Sequence, residues 1–135
     1  MLESVNLDFI TNIMFNKLFA ICLLVEDFDN SLFFYRDTLG LKVNQTNETF
    51  ADFKVKGTSI AIFQKSEATS MFPQKYMKPG GGAVIAFQVT DLEGGVSELK
   101  RKGVEIFEGP KTTPWGQKVA YFLDPDKNIW EISEK

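Results

Sequence analysis

The chain has 135 residues, of which 44% are hydrophobic and 24% are charged, a balance typical of one globular domain with a substantial core. Its formal charge is −3, and no cluster of Lys and Arg provides the basic surface that nucleic acids require. No apolar run reaches the roughly 18 residues that span a bilayer. Neither a nucleic acid nor a membrane is therefore an expected partner.

The beginning of the chain does not read as an export signal. Residues 1–16 include Glu3 and Asp8 and lack a basic start, so we interpret them as an N-terminal extension, either a helix or an arm. The single cysteine, Cys22, excludes an intrachain disulfide framework and is compatible with a reducing compartment. These features predict a cytoplasmic protein.

Two stretches of the chain repeat the same order of predicted elements. An apolar run at 21–25 leads into an amphipathic stretch that stops at Gly40, and a run at 85–89 leads into one that stops at Gly103. Extended segments follow each glycine, at 41–46, 49–56 and 58–64 in the first half and at 104–107, 117–124 and 127–133 in the second. The repeat predicts a βαβββ module that is used twice, with pseudo-twofold symmetry.

The predicted fold class is α+β. The modules, about 17–64 and 82–135, form one domain in which a curled mixed sheet surrounds a concave space, the default ligand site. Residues 65–81 contain Pro79 and two glycines, Gly80 and Gly81, and predict a flexible linker. A phosphate-binding glycine loop is disfavoured, because a strand rather than a helix is predicted next.

Two motifs point to a family. The first is FFYRDTLGL at 33–41, and the second joins WGQ at 115–117 to DPDKNIWEI at 124–132. This pattern resembles the vicinal oxygen chelate superfamily, which includes glyoxalase I, fosfomycin- and bleomycin-resistance proteins and extradiol dioxygenases. The family usually has glycine where Lys127 stands, and we expect the turn to accept lysine there because it does not strictly require a positive φ.

The resemblance implies a divalent metal held by up to four His or Glu side chains. The matching positions in this sequence are Ala20, Ile62, Val84 and Glu131, and only Glu131 is able to bind a metal. The chain also contains no histidine. No cofactor is expected, and Ala20, Ile62 and Val84 are interpreted as degenerate metal positions.

Glu131 is the main candidate for function. A carboxylate on an apolar face pays a desolvation cost unless it meets a cationic or hydrogen-bonding ligand. Strand periodicity places Gln88 on the same face, and the resemblance places Tyr121 in the substrate pocket and Trp115 at its mouth. The alternative is that Glu131 is satisfied by water or by a neighbouring lysine.

Phe50 and Phe53 are further candidates for contact with a ligand. They have opposite parity in one predicted strand, so at most one of them faces the ligand. A lining of Phe, Trp and Tyr with a few polar groups suits a flat organic molecule. Packing in the core is the alternative for each of these aromatic side chains.

Three functions remain open. The first is a small-molecule-binding protein that sequesters an aromatic or cationic compound without a metal. The second is a glyoxalase-like or dioxygenase-like enzyme, a lyase or a ring-cleaving enzyme, with an atypical or intersubunit metal site. The third is a structural module with no ligand. The resemblance also implies a homodimer.

Overall fold

The computed structural model describes residues 14–15, 17–78, 80 and 82–135, so the predicted N-terminal extension lies almost entirely outside the described residues. The strands are β1 (Ala20–Val25), β2 (Val43–Thr46), β3 (Phe50–Val55), β4 (Thr58–Gln64), β5 (Val84–Val89), β6 (Ile106–Thr112), β7 (Lys118–Leu123) and β8 (Ile129–Glu134). The helices are α1 (Phe28–Phe33), which continues as one π-helical turn over Phe34–Thr38, and α2 (Leu92–Arg101). No helix among these residues is long and apolar enough to cross a membrane.

The strands form two four-stranded sheets with matching topology. Their orders are β1-β4-β3-β2 and β5-β8-β7-β6, and in each sheet the first strand of the module pairs in parallel with the last. The predicted α+β fold of two βαβββ modules is confirmed. The two sheets do not close into a single barrel, so β1 and β5 remain edge strands.

Helices α1 and α2 each begin at an aspartate that caps the first turn. The Asp27 carboxylate accepts a hydrogen bond from the Asn30 amide at 3.2 Å, and the Asp91 carboxylate accepts one from the Gly94 amide at 3.0 Å. Gly103 then follows α2 with a φ of 87°, a conformation that glycine adopts at little cost. The amphipathic pattern and these local signals therefore account for both helices.

The paired glycines of α2 allow a matched test of helix stability. A Cβ at Gly95 would make only an ordinary contact with Ile132 Cδ1 at 3.9 Å, whereas a Cβ at Gly94 would collide with the capping carboxylate of Asp91. Gly95→Ala is expected to raise the free energy of unfolding by about 0.5–1 kcal/mol. In Gly94→Ala the same gain is offset by loss of the cap, which costs about 0.5–2 kcal/mol. Urea denaturation measures both, and equal stabilisation by the two variants would contradict the assigned role of Asp91.

One core joins the two modules. The ring of Tyr35, in the helical segment of the first module, lies 6.0 Å from the Phe53 ring and 5.9 Å from the Trp130 ring, between centroids. The Tyr35 hydroxyl donates to the Asp124 carboxylate, and Trp130 Nε1 donates to the Tyr35 hydroxyl at 3.2 Å. The helix-bearing faces of both sheets therefore turn towards this shared core, and the opposite faces turn outwards.

The turn between β7 and β8 differs from expectation. Lys127 has a φ of 66°, so the expectation that this turn needs no positive φ is wrong. The reason is the Asp124 carboxylate, which accepts hydrogen bonds from the Asp126 amide at 3.0 Å and the Asn128 amide at 2.8 Å. These bonds wrap the turn tightly and leave the residue between the two amides in the left-handed region.

Two segments are more ordered or longer than predicted. Part of the expected flexible linker forms short 3₁₀ helices over Lys65–Ser70 and Gln74–Tyr76, because Ala68 and Met77 are buried and anchor it. Strand β6 runs to Thr112, past the predicted end at residue 107, although it contains a proline. Because β6 is an edge strand, that proline need not donate to a neighbouring strand.

Candidate functional site

The outward face of the second sheet brings together several predicted site residues. Glu131 pairs with Tyr121 on one side and with Ala86 on the other, and Gln88 pairs with Ser133. Side chains that are directly opposite on neighbouring strands share a face and lie roughly 5 Å apart at Cβ. The face therefore combines a carboxylate, a phenol and an amide around a small apolar side chain.

The environment of Tyr121 reflects its neighbour Glu131. Burial first, and then the hydrogen-bonding Glu131 carboxylate, raise the pKa of the Tyr121 hydroxyl, so it stays protonated and can donate. None of the ion pairs in the described part of the chain involves Glu131. A neighbouring lysine therefore does not satisfy this carboxylate among the described residues.

Trp115 is connected to this face through side-chain hydrogen bonds. Its indole Nε1 donates to Gln117 Oε1 at 3.3 Å, and Gln117 Nε2 donates to Ser133 Oγ on β8. The indole itself is 76% exposed. The loop before β7 thus presents an exposed aromatic ring beside the outward face. Its hydrogen-bond chain ends at Ser133, the residue that pairs with Gln88.

Three side chains near Tyr121 are not predicted by the sequence pattern. The Phe107 ring lies 6.2 Å from the Tyr121 ring, and the charges of Lys111 and Glu108 both act on the Tyr121 hydroxyl. Lys111 and Glu108 also form an ion pair at 2.6 Å. Strand periodicity could not place these residues, because β6 changes register twice against β7.

The two phenylalanines of β3 lie on opposite faces of the strand, as their odd spacing predicts. Phe53 is fully buried against Tyr35 in the core, so its assignment as a ligand-binding residue is wrong. Phe50 lies on the outward face of the first sheet, with its ring 6.3 Å from that of Phe63. The same face carries Asp52, whose carboxylate accepts from the Gln45 amide at 2.9 Å.

The first-module counterpart of Glu131 is Ala61 rather than Ile62. Val84 pairs with Ile129 in the second sheet and Ala20 pairs with Ser59 in the first, so Glu131 and Ala61 each lie two residues further along their strand. Ile62 has the opposite parity and is fully buried in the core. The predicted position was wrong by one residue, which in a strand reverses the face.

These positions do not fit a resident metal. Ala20, Ala61 and Val84 supply no donor atoms, which leaves one carboxylate, Glu131, at the four positions that the family uses. Within the described residues, no group of three or more His, Cys, Asp or Glu side chains is arranged to hold an ion. The donor set thus disagrees with the metal site that the superfamily resemblance implies.

A cleft of about 920 Å³ separates the edge strands of the two sheets. Its lining includes Ile21, Phe87 and Trp130 together with Val84 and Gln88, but neither Glu131 nor Tyr121. The cleft reaches the Glu131 face only along the edge strand β5, at Val84, Ala86 and Gln88, and does not extend to Glu131 itself. Gln88 is therefore shared by the cleft and the predicted site, whereas Glu131 and Tyr121 lie outside the cleft.

Comparison with known proteins assigns the chain to a family. Residues 18–135 match the sequence pattern of the glyoxalase-like domain. The chain belongs to the glyoxalase-like domain family. It is 32% identical over 123 residues to the uncharacterized protein YraH of Bacillus subtilis (strain 168), and this alignment covers 86% of this chain and 96% of YraH. The predicted vicinal oxygen chelate superfamily is confirmed.

Solved structures with the same fold come from proteins with different descriptions. A glyoxalase/bleomycin resistance protein/dioxygenase from Nocardioides has a TM-score of 0.78 and 22% identity, covering 99% of this chain and 93% of its own. TnmS3, an antibiotic binding protein from Streptomyces sp. CB03234, has a TM-score of 0.73 and 23% identity, and the match covers 91% of this chain and 98% of TnmS3. A lactoylglutathione lyase from Agrobacterium tumefaciens has a TM-score of 0.71 and 21% identity, and the match covers 87% of this chain and 92% of the lyase. At these identities the likeness shows the fold alone.

Proposed function

We propose that this glyoxalase-like protein binds and sequesters an aromatic or cationic small molecule in the cytoplasm, without a metal. A flat aromatic cation suits the site best. The observation that carries the proposal is the outward face of the second sheet, where the Glu131 carboxylate has no described ion-pair partner and adjoins the Tyr121 hydroxyl. An ammonium group would offset the desolvation of that carboxylate.

The surroundings of Glu131 support an aromatic ligand. The exposed Trp115 ring and the half-exposed Phe107 ring flank the polar centre, and both offer a face or edge for stacking. Gln88 adds an amide that can donate or accept. The antibiotic-binding relative TnmS3 shares this fold, which supports sequestration as a function that the scaffold can perform.

The proposal includes a second copy of the chain. The outward faces expose apolar side chains, among them Val84 at 53% and Leu123 at 39%, and β1 and β5 leave unpaired strand edges. In a twofold dimer, the first sheet of one copy would face the second sheet of the other and form two identical sites. Phe50 would then add an aromatic wall, and Asp52 a second carboxylate, opposite Glu131.

Two probes that differ in charge alone test the assignment of Glu131. We expect 1-naphthylmethylamine to bind more tightly than the neutral 1-naphthylmethanol, because only the amine pairs with the carboxylate. Glu131→Gln should lower the affinity for the amine roughly 10- to 100-fold, the equivalent of about 1.5–3 kcal/mol for a charged hydrogen bond. Affinity for the alcohol should change by less than about threefold. Isothermal titration calorimetry measures all four values.

The control variant is Glu48→Gln, an exposed carboxylate in the turn before β3. It should leave both affinities unchanged. Equal amine affinity in the wild type and Glu131→Gln would show that Glu131 is not the cation site.

The competing function is an enzyme with an intersubunit or atypical metal site. The shared fold of the lactoylglutathione lyase supports this alternative, because the same scaffold occurs in an enzyme. Elemental analysis of the purified protein separates the two functions. Stoichiometric Fe, Mn, Ni or Zn that resists dialysis would overturn metal-free binding and favour the enzyme.

A further inference from the structure

The helix of the second module contains a glycine with no steric reason to be glycine. Gly94 has such a reason, because a Cβ there would displace the capping carboxylate of Asp91. Gly95 has none, because its Cβ would meet only Ile132 Cδ1 at an ordinary distance of 3.9 Å. Glycine within a helix is destabilising relative to alanine. What Gly95 contributes instead is open space above the sheet.

That space is part of a pocket between the modules. Its volume is about 280 Å³, and it lies on the helix-bearing side of the second sheet, opposite the Glu131 face. The lining comes from the α1–β2 connection, α2 and three strands; its apolar side chains include Leu39, Leu41, Phe87, Leu99, Phe122 and Ile132, and Gln88 contributes a neutral polar one. An apolar cavity of about 150 Å³ is enough to hold benzene, so this pocket has room for a two-ring compound.

The charged groups at the rim of the pocket are already paired. The Lys102 ammonium donates to the Thr38 carbonyl oxygen at 3.1 Å and to the Asp37 carbonyl oxygen at 3.3 Å. The Glu98 carboxylate accepts from Arg101 at 2.6 Å and lies 3.7 Å from Lys102. No described charge at the rim is left to pair with an ionic ligand, so the lining favours a neutral occupant.

We propose that this pocket is a second ligand site, which binds a neutral, flat, mainly apolar compound of one or two rings. Such a compound would contact Leu39 and Leu41 of the first module together with α2 and the sheet of the second. Binding would therefore stabilise the packing of one module on the other. The site is independent of Glu131, which faces the other side of β8.

Indole is the test compound, because it is neutral and has two fused rings. At ten times its Kd, indole should raise the Tm of the wild type by about 4 to 7 °C. It should also shift the NMR signals of the Ile132 and Leu99 methyl groups more than those of Leu24 on the outward face of β1. Glu131→Gln should bind indole as the wild type does, so failure of the proposed function would leave this result unaffected.

Filling the pocket should abolish binding. Gly95→Leu places a side chain in the space that Gly95 leaves open, and it should remove both the Tm shift and the methyl shifts. Ser97→Leu adds the same side chain at an exposed position of α2 and should keep the indole Kd within twofold. If Gly95→Leu does not fold, the smaller Gly95→Ala should weaken binding at least threefold. Unmoved Ile132 and Leu99 signals in the wild type, or undiminished binding in both Gly95 variants, would overturn the proposal.

Discussion

Tyr35→Ala is expected to lower the free energy of unfolding by roughly 3–5 kcal/mol, as measured by urea denaturation. The Tyr35 ring is fully buried and contacts Phe53 in one sheet and Trp130 in the other. Its loss leaves a cavity at the junction of the two modules. It also removes the hydroxyl that donates to the buried Asp124 carboxylate.

Tyr35→Phe separates the hydroxyl from the ring. Burial, followed by the negative charge of Asp124, raises the pKa of the Tyr35 hydroxyl, which therefore stays a donor throughout the usual pH range. Deleting this donor next to a buried carboxylate should cost about 1–3 kcal/mol, less than the alanine variant. Tyr76→Ala, at a position that is 72% exposed, should cost less than about 0.5 kcal/mol. Similar losses at positions 35 and 76 would refute the shared core.

Mixed dimers are expected to recover binding that neither parent retains. In the proposed dimer, each site takes Glu131 from one copy and Phe50 from the other, so Glu131→Gln and Phe50→Ala each damage both sites of a homodimer. A heterodimer of the two variants contains one doubly altered site and one wild-type site. Co-expression with two affinity tags should therefore restore wild-type affinity for 1-naphthylmethylamine at half of the sites.

The outcome distinguishes a composite site from one formed within a chain. If each site uses a single copy, every site of the heterodimer carries a substitution and no wild-type affinity returns. A monomer in sedimentation experiments would also contradict this arrangement. The matched control pairs Glu131→Gln with Glu131→Gln under different tags, for which no recovery is expected.

Local patterns in the sequence predicted the elements well. Asp27 and Asp91 cap the helices, and Gly40 and Gly103 follow their ends with positive φ, as the repeat predicts. These signals act over a few residues, so a single sequence reveals them. The neighbourhood of Tyr121 was harder to predict, because the bulges of β6 break the period-two rule.

The sequence by itself determined the α+β class, the doubled βαβββ order, the family and the shared face of Glu131, Tyr121 and Gln88. Only the tertiary structure decided that Phe53 and the position matched by Ile62 belong to the core, and that Glu131 and Tyr121 lie outside the cleft between the sheets. The physical reason is that a one-residue change of register reverses a strand's face. Which face is covered depends on contacts such as Tyr35 with Trp130, 95 residues apart, which no local pattern encodes.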